Sequence, residues 1–306
     1  MKSISFLLSL LAFPVLIFAQ YNDFELTDLL IPKSEIHHGG PPKDGIPAID
    51  QPVFVSADEA NFLKADDRVL GLSIEGQAKA YPIKILNYHE VVNDEFDDRA
   101  VVVTFCPLCG SGLAFDAMVE GITRTFGVSG LLYNSDVLLY DRQTESLWSQ
   151  LMMKAVSGPA SGTELQPIPT SFTTWSDWKS RHPESLVLTP DTGHQRNYDL
   201  EPYANYVSSS QLMFPVAHSN SDLPPKELVI GLEIGEKAKA YPFSRLKASA
   251  GIVWDTFMGE RLRIQYNKEA ESAIITDAEG EELPAVTLFW FAWYAFHPET
   301  AIYDEQ

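Results

Sequence analysis

The sequence predicts an α+β fold of mostly antiparallel β-hairpins with short peripheral helices, arranged as two pseudo-repeated lobes. Three observations predict it. The chain repeats itself: residues 69–82 read VLGLSIEGQAKAYP and residues 229–242 read VIGLEIGEKAKAYP, identical at nine of fourteen positions at an offset of 160. Each copy alternates apolar and polar residues about a two-residue turn (Glu75-Gly76; Gly235-Glu236) and ends in Tyr-Pro, the pattern of a hairpin followed by a short helix. A later echo, Trp175-x2-Trp178-x3-His182-Pro183 and Trp290-x2-Trp293-x3-His297-Pro298, places Trp and His on one helical face. His182 and His297 therefore read as structural, helix-ending residues, and Thr174 with Asp177 as a capping box.

The elements follow in order. Residues 1–19 read as a secretory signal: Lys2, an apolar stretch from Ile4 to Phe18, and a cleavage site before Gln20. That stretch is shorter than the roughly 20 residues of a membrane-spanning helix; the alternative reading is an uncleaved anchor. The expected location is exported, periplasmic or extracellular, where paired thiols oxidise or hold metal. Residues 20–50 form a Gly/Pro-rich arm that either crosses a cleft or ties down the N-terminus. Residues 51–186 make the first lobe. Within it, residues 126–170 have no counterpart in the second lobe, residues 187–306, and neither has the Cys-x-x-Cys motif. What both lobes share reads as scaffold, and what only the first carries is the better candidate for chemistry.

Composition sets the outer limits. With 45% apolar and 11% aromatic residues, the 306-residue chain can bury a real core. Its formal charge of −20 would repel phosphates, which excludes nucleic acid and anionic membrane surfaces as partners. A small molecule or an exported protein partner fits better.

Cys106 and Cys109 are the only cysteines, in Cys-Pro-Leu-Cys-Gly. As a staple, so short a loop would remove only about 2 kcal/mol of unfolded-chain entropy. Three readings stand. In the first, the thiolates are half a metal site for zinc or copper, with His89 as the nearest imidazole. In the second, the pair is a redox dithiol in which Cys106 attacks, Cys109 resolves and His89 acts as base. The thioredoxin arrangement is disfavoured, because Gly110-Ser111-Gly112 leads into a hairpin rather than a helix. In the third, the thiols are ordinary core residues, and His89 is a buried histidine satisfied by a carbonyl.

Downstream, residues 126–150 (FGVSGLLYNSDVLLYDRQTESLWSQ) interleave polar and apolar side chains. Ser129, Tyr133, Asn134, Asp136, Asp141, Arg142 and Trp148 are candidates to ring a pocket beside the cysteines. Asp136 can orient His89, and Arg142 can grip a carboxylate. The plain alternative is a strand and turn with a surface ion pair. Arg196 and Tyr198 lie in what reads as a surface linker, residues 191–203.

The blocks GGPPKDGIPAID, AKAYPIKILNYHEVVND, VVVTFCPLCGSGLAFD, FGVSGLLYNSDVLLYDRQTESLWSQ and TTWSDWKSRHP resemble a bacterial family known as domain of unknown function 3179. That resemblance implies an exported or membrane-associated protein, and it supports His89, Cys106, Cys109 and the segment 133–148 as family features without supplying their roles. The expectation is a protein of unassigned reaction whose Cys-x-x-Cys centre binds a soft metal or cycles as a dithiol. The alternative is a non-catalytic periplasmic binding module.

Overall fold

The structure is a computed structural model that describes residues 21–249 and 251–304; the expected signal segment lies outside them. Strands account for 40% of the chain and helices for 12%, arranged as a five-bladed β-propeller. This corrects the expectation of an α+β protein in two lobes. Hairpins were the right local unit, but the two repeats do not close on themselves. Strand Ser171–Thr174, in the first repeat, packs against Ser272–Thr276 in the second, and Val286–Phe289 in the second packs against Ser111–Asp116 in the first.

Blade 1 contains strands Phe54–Ser56, Arg68–Ile74, Gln77–Pro82, Ser171–Thr174 and Leu186–Leu188; blade 2 contains Val91–Phe96, Arg99–Cys106, Ser111–Asp116 and Pro167–Ile168. Blade 3 joins Ile36–His38 from the arm to Phe126–Tyr133, Asp136–Asp141, Leu147–Ser149 and Lys154–Ser157. Blade 4 contains Leu228–Ile234, Lys237–Pro242, Val286–Phe289 and Ala301–Ile302, and blade 5 Ile252–Phe257, Glu260–Asn267 and Ser272–Thr276. The segment that lacks a counterpart in the repeat thus supplies most of blade 3.

The repeat is visible as equal registers. Val69 pairs with Pro82 and Ile74 with Gln77 in blade 1, as Val229 does with Pro242 and Ile234 with Lys237 in blade 4. Packing repeats as well. A Cβ on Gly71 would come within 2.2 Å of the Trp178 ring, and one on Gly231 within 2.4 Å of Trp293. Only glycine lets the indoles lie flat on their strands. Each indole N–H donates to a hydroxyl (Trp178 to Ser185 at 2.9 Å, Trp293 to Thr300 at 2.8 Å) and each ring packs at a tilt against its helix-ending histidine. Thr174 caps its helix by accepting the Asp177 N–H at 3.4 Å. A charged trio also recurs: Lys79 and Tyr81 both donate to Asp94, and Lys239 and Tyr241 both donate to Asp255.

A candidate thiol–carboxylate metal centre

The Arg99–Cys106 strand ends in the first cysteine, and Cys106 pairs across the hairpin with Ser111. Residues 107–110 make the turn, in which Gly110 has a left-handed φ of +63°, the conformation that the Cys-Pro-x-Cys-Gly pattern needs at its last place. The Cys109 carbonyl then accepts the Phe289 N–H at 2.9 Å, tying the turn to blade 4. The opposite wall comes from blade 3. Asn134 and Ser135 both have positive φ, and this tight turn delivers the Ser135 carbonyl and the Asp136 carboxylate to the sulfurs. The thiols of Cys106 and Cys109 donate to the Ser135 carbonyl at 3.8 and 3.5 Å.

Among the described residues, the one group of three or more metal-ligating side chains with converging donor atoms is Cys106, Cys109 and Asp136, whose atoms lie within 4.8 Å of one another. All three are buried, and both cysteines are free thiols. Asp136 Oδ2 accepts the Leu151 N–H at 3.0 Å, while Oδ1 and the neighbouring Ser135 hydroxyl have no partner.

Glu90 belongs to the same region. It follows the helix Ile83–His89 in a left-handed conformation, with φ of +59°, and is buried. Its neighbour in the chain, His89, goes elsewhere: Nδ1 donates to the Pro47 carbonyl at 2.7 Å, and Nε2 accepts from the Tyr198 hydroxyl at 2.6 Å.

Electrostatically the site is lopsided. Burial pushes the Glu90 carboxyl up to about 8, helped by the Asp136 charge, and burial pushes Asp136 up to about 7. Burial raises both thiols too, Cys109 most. Hydrogen bonding from the Cys109 thiol, and less so from its backbone N–H, opposes the rise at Cys106, but the neighbouring charges that act on these thiols and on Glu90 are of their own sign. Four acidic side chains are packed together away from water.

A cavity of about 260 Å³ reaches this cluster. Cys106 and Glu90 are among its walls, Val128, Leu132, Val137 and Phe214 line it with hydrocarbon, and Tyr203 adds a ring. The arm forms one rim: Gly39 and Pro41 line the cavity, and the Gly39 N–H donates to the Gly130 carbonyl at 2.8 Å.

The other residues singled out in the sequence separate into distinct places. Asp141 and Trp148 join a buried network with Arg124: Asp141 accepts from Arg124 at 3.0 Å, from the Trp148 indole at 2.8 Å, and from the Thr144 N–H and hydroxyl at 2.8 and 2.7 Å. Arg142 forms a surface pair with Asp50 at 2.7 Å. Ser129 donates to the Leu138 carbonyl and accepts the Leu131 N–H at 3.0 Å, holding a bulge in its own strand. Asn134 binds the Ala217 N–H at 2.7 Å, and Tyr133 packs edge-on against Phe296. Of that block, Asp136 alone brings a side chain to the sulfurs, beside the Ser135 carbonyl. Glu90 and Tyr203, which the sequence pattern does not single out, also line the cavity; the one signal for Glu90 is its place directly after His89. The linker containing Tyr198 and Tyr203 is part of the site region rather than plain surface.

A β-propeller carrying a buried Cys-x-x-Cys and carboxylate cluster between two of its blades is the class that fold and site define. The chain belongs to the family described as protein of unknown function (DUF3179), whose model matches residues 43–300. No curated protein and no solved structure matches it.

Proposed function

We propose that Cys106, Cys109 and Asp136 bind one zinc-like ion, with the cavity beside Cys106 giving small molecules access to its open position. One observation carries the reading: three donor atoms of ligand type converge within 4.8 Å in a buried cluster made only of acidic groups. Such a cluster is costly to bury unless a cation compensates it, and a divalent ion reverses the local preference by stabilising thiolates and carboxylate together. The unpartnered Asp136 Oδ1 has a role in that arrangement. Tetrahedral ligands at about 2.3 Å from zinc stand about 3.8 Å apart, so small side-chain shifts suffice. Two sulfurs and one oxygen leave a fourth position, the pattern of open zinc sites rather than closed structural ones. Copper(I) also favours thiolates but has little use for the carboxylate.

The dithiol reading has less support. Burial raises both thiol pKa values, and this disfavours the nucleophilic thiolate that exchange needs. His89 has both ring nitrogens engaged elsewhere, so the proposal leaves it out as ligand and as base.

Purified protein, reduced and equilibrated with zinc, should retain one ion per chain after gel filtration, measured by elemental analysis. Cys106→Ser and Asp136→Asn should lose it while staying folded. Metal-free wild-type protein that shows a two-hydrogen mass loss on mild oxidation would replace this reading with the dithiol one.

A further inference from the structure

The internal repeat leaves one strand edge bare where its equivalent is covered. In blade 2 the outer edge of Val91–Phe96 is closed by the arm. Ile49 forms a parallel bridge with Val92; its N–H donates to the Val91 carbonyl and its carbonyl accepts the Asn93 N–H, both at 2.9 Å. Asp50 follows, accepting from the Asn93 side chain and from Arg142, each at 2.7 Å. At an offset of 161, the equivalent strand is Ile252–Phe257 in blade 5. It is outermost in its sheet and pairs with Glu260–Asn267; among the described residues, nothing bridges its other edge.

The chain that would correspond to the arm is drawn away. By the same offset it falls near residue 210, where the Lys226 ammonium binds the carbonyls of Tyr206, Ser209 and Gln211, and Met213 lines the thiol cavity. Met213 and Phe214 thus line the thiol cavity, and no described residue bridges the outer edge in blade 5.

The bare edge has the features of a receptor. Ile252 and Trp254 are 47% and 51% exposed on it. Beside it runs a groove of about 540 Å³ whose walls include Trp254, Asp255, Thr256 and Arg261. In blade 2 the matching groove has Asn93, Asp94, Glu95 and Ala100, and there Asp50, Gln51 and Pro52 of the arm form part of the wall. The alanine is replaced in blade 5 by Arg261, whose guanidinium lies 4.5 Å from the Trp254 ring centre. Arg261 is thus a cation beside Trp254 at the edge of a groove whose other charged residues are Lys239, paired with Asp255, and Asp304, paired with Arg245.

We propose that the outer edge of Ile252–Phe257 is a docking site for an extended segment of another polypeptide. The segment adds as a strand through the Ile252 carbonyl and the Trp254 N–H and carries an apolar residue followed by an acid. Main-chain pairing supplies affinity, and the Trp254 and Arg261 side chains select the sequence.

The arm supplies its own probe. A fluorescein-labelled peptide GIPAIDQPV, the sequence of residues 45–53, is titrated with the mature chain and followed by anisotropy. Saturable binding is expected. Trp254→Pro, which removes the outward N–H on an edge strand that tolerates proline, should weaken it at least about tenfold. A peptide N-methylated at the Ile before Asp should lose binding similarly without any change to the protein, and Arg261→Glu should weaken it several-fold. No saturation up to about 1 mM would overturn the proposal. So would equal affinity for the N-methylated peptide, or a wild-type dimer that Trp254→Pro dissociates without peptide binding, because the edge would then belong to a second copy.

Discussion

Asp141→Ala separates scaffold from site. Asp141 is fully buried, accepts four hydrogen bonds, and is the ion-pair partner of Arg124, itself only 3% exposed in its side chain. Removing the carboxylate leaves a buried guanidinium uncompensated, which typically costs about 3–5 kcal/mol. At a few degrees per kcal/mol for a domain of this size, the unfolding midpoint should fall by about 10 °C. Scanning calorimetry measures it. Replacing both residues together, Arg124→Met with Asp141→Leu, removes the stranded charge and should be less damaging than Asp141→Ala alone. Metal retention well below the midpoint should match the wild type, because Asp141 lies outside the group of converging ligands. A midpoint shift under about 2 °C, combined with loss of metal, would refute the assignment of Asp141 to scaffold.

Three further outcomes are expected. Burial lowers the His297 pKa to about 4 from its ordinary 6.5, so at this group the unfolded chain binds more protons between those values and its contribution to stability falls on acidification from pH 6.5 towards 4. Glu90 and Asp136, raised by burial, act in the opposite sense over that range, so the readout is the difference in denaturant melts between His297→Gln and wild type, in which the variant should gain on wild type as pH falls from 6.5 towards 4. Gly130 has φ +75°, and a Cβ there would meet the Pro41 carbonyl at 2.1 Å. Gly130→Ala should therefore destabilise by at least about 1–2 kcal/mol and open residues 39–44 to limited proteolysis. Intact-mass analysis of exported protein should give an N-terminus at Gln20, and a retained Met1 would contradict the reading of residues 1–19 as a cleaved signal.

What was legible in the sequence was local or self-referential. Hairpin registers followed from alternation and from the copy at offset 160, and Thr174 announced its cap through side-chain chemistry. Blade closure was not legible, because it rests on contacts such as Ser171–Thr174 against Ser272–Thr276, between segments a hundred residues apart with no pattern in common. The same limit governs the site. Residues 126–150 showed that polar side chains enter an apolar setting, but which one faces the sulfurs is decided by the left-handed pair Asn134-Ser135, which aims Asp136 at the neighbouring blade. His89 drew attention as the chemically versatile residue. The end of its helix sends the ring to Pro47 and Tyr198, and leaves Glu90, one residue on, beside the thiols.

X-ray absorption at the zinc edge of the reconstituted full chain addresses the centre most directly. Two sulfurs at about 2.3 Å with oxygen ligands at about 2.0 Å are expected, with loss of one sulfur in Cys109→Ser and a changed oxygen shell in Asp136→Asn. A first shell of nitrogen and oxygen alone, unaltered by either substitution, would contradict the account.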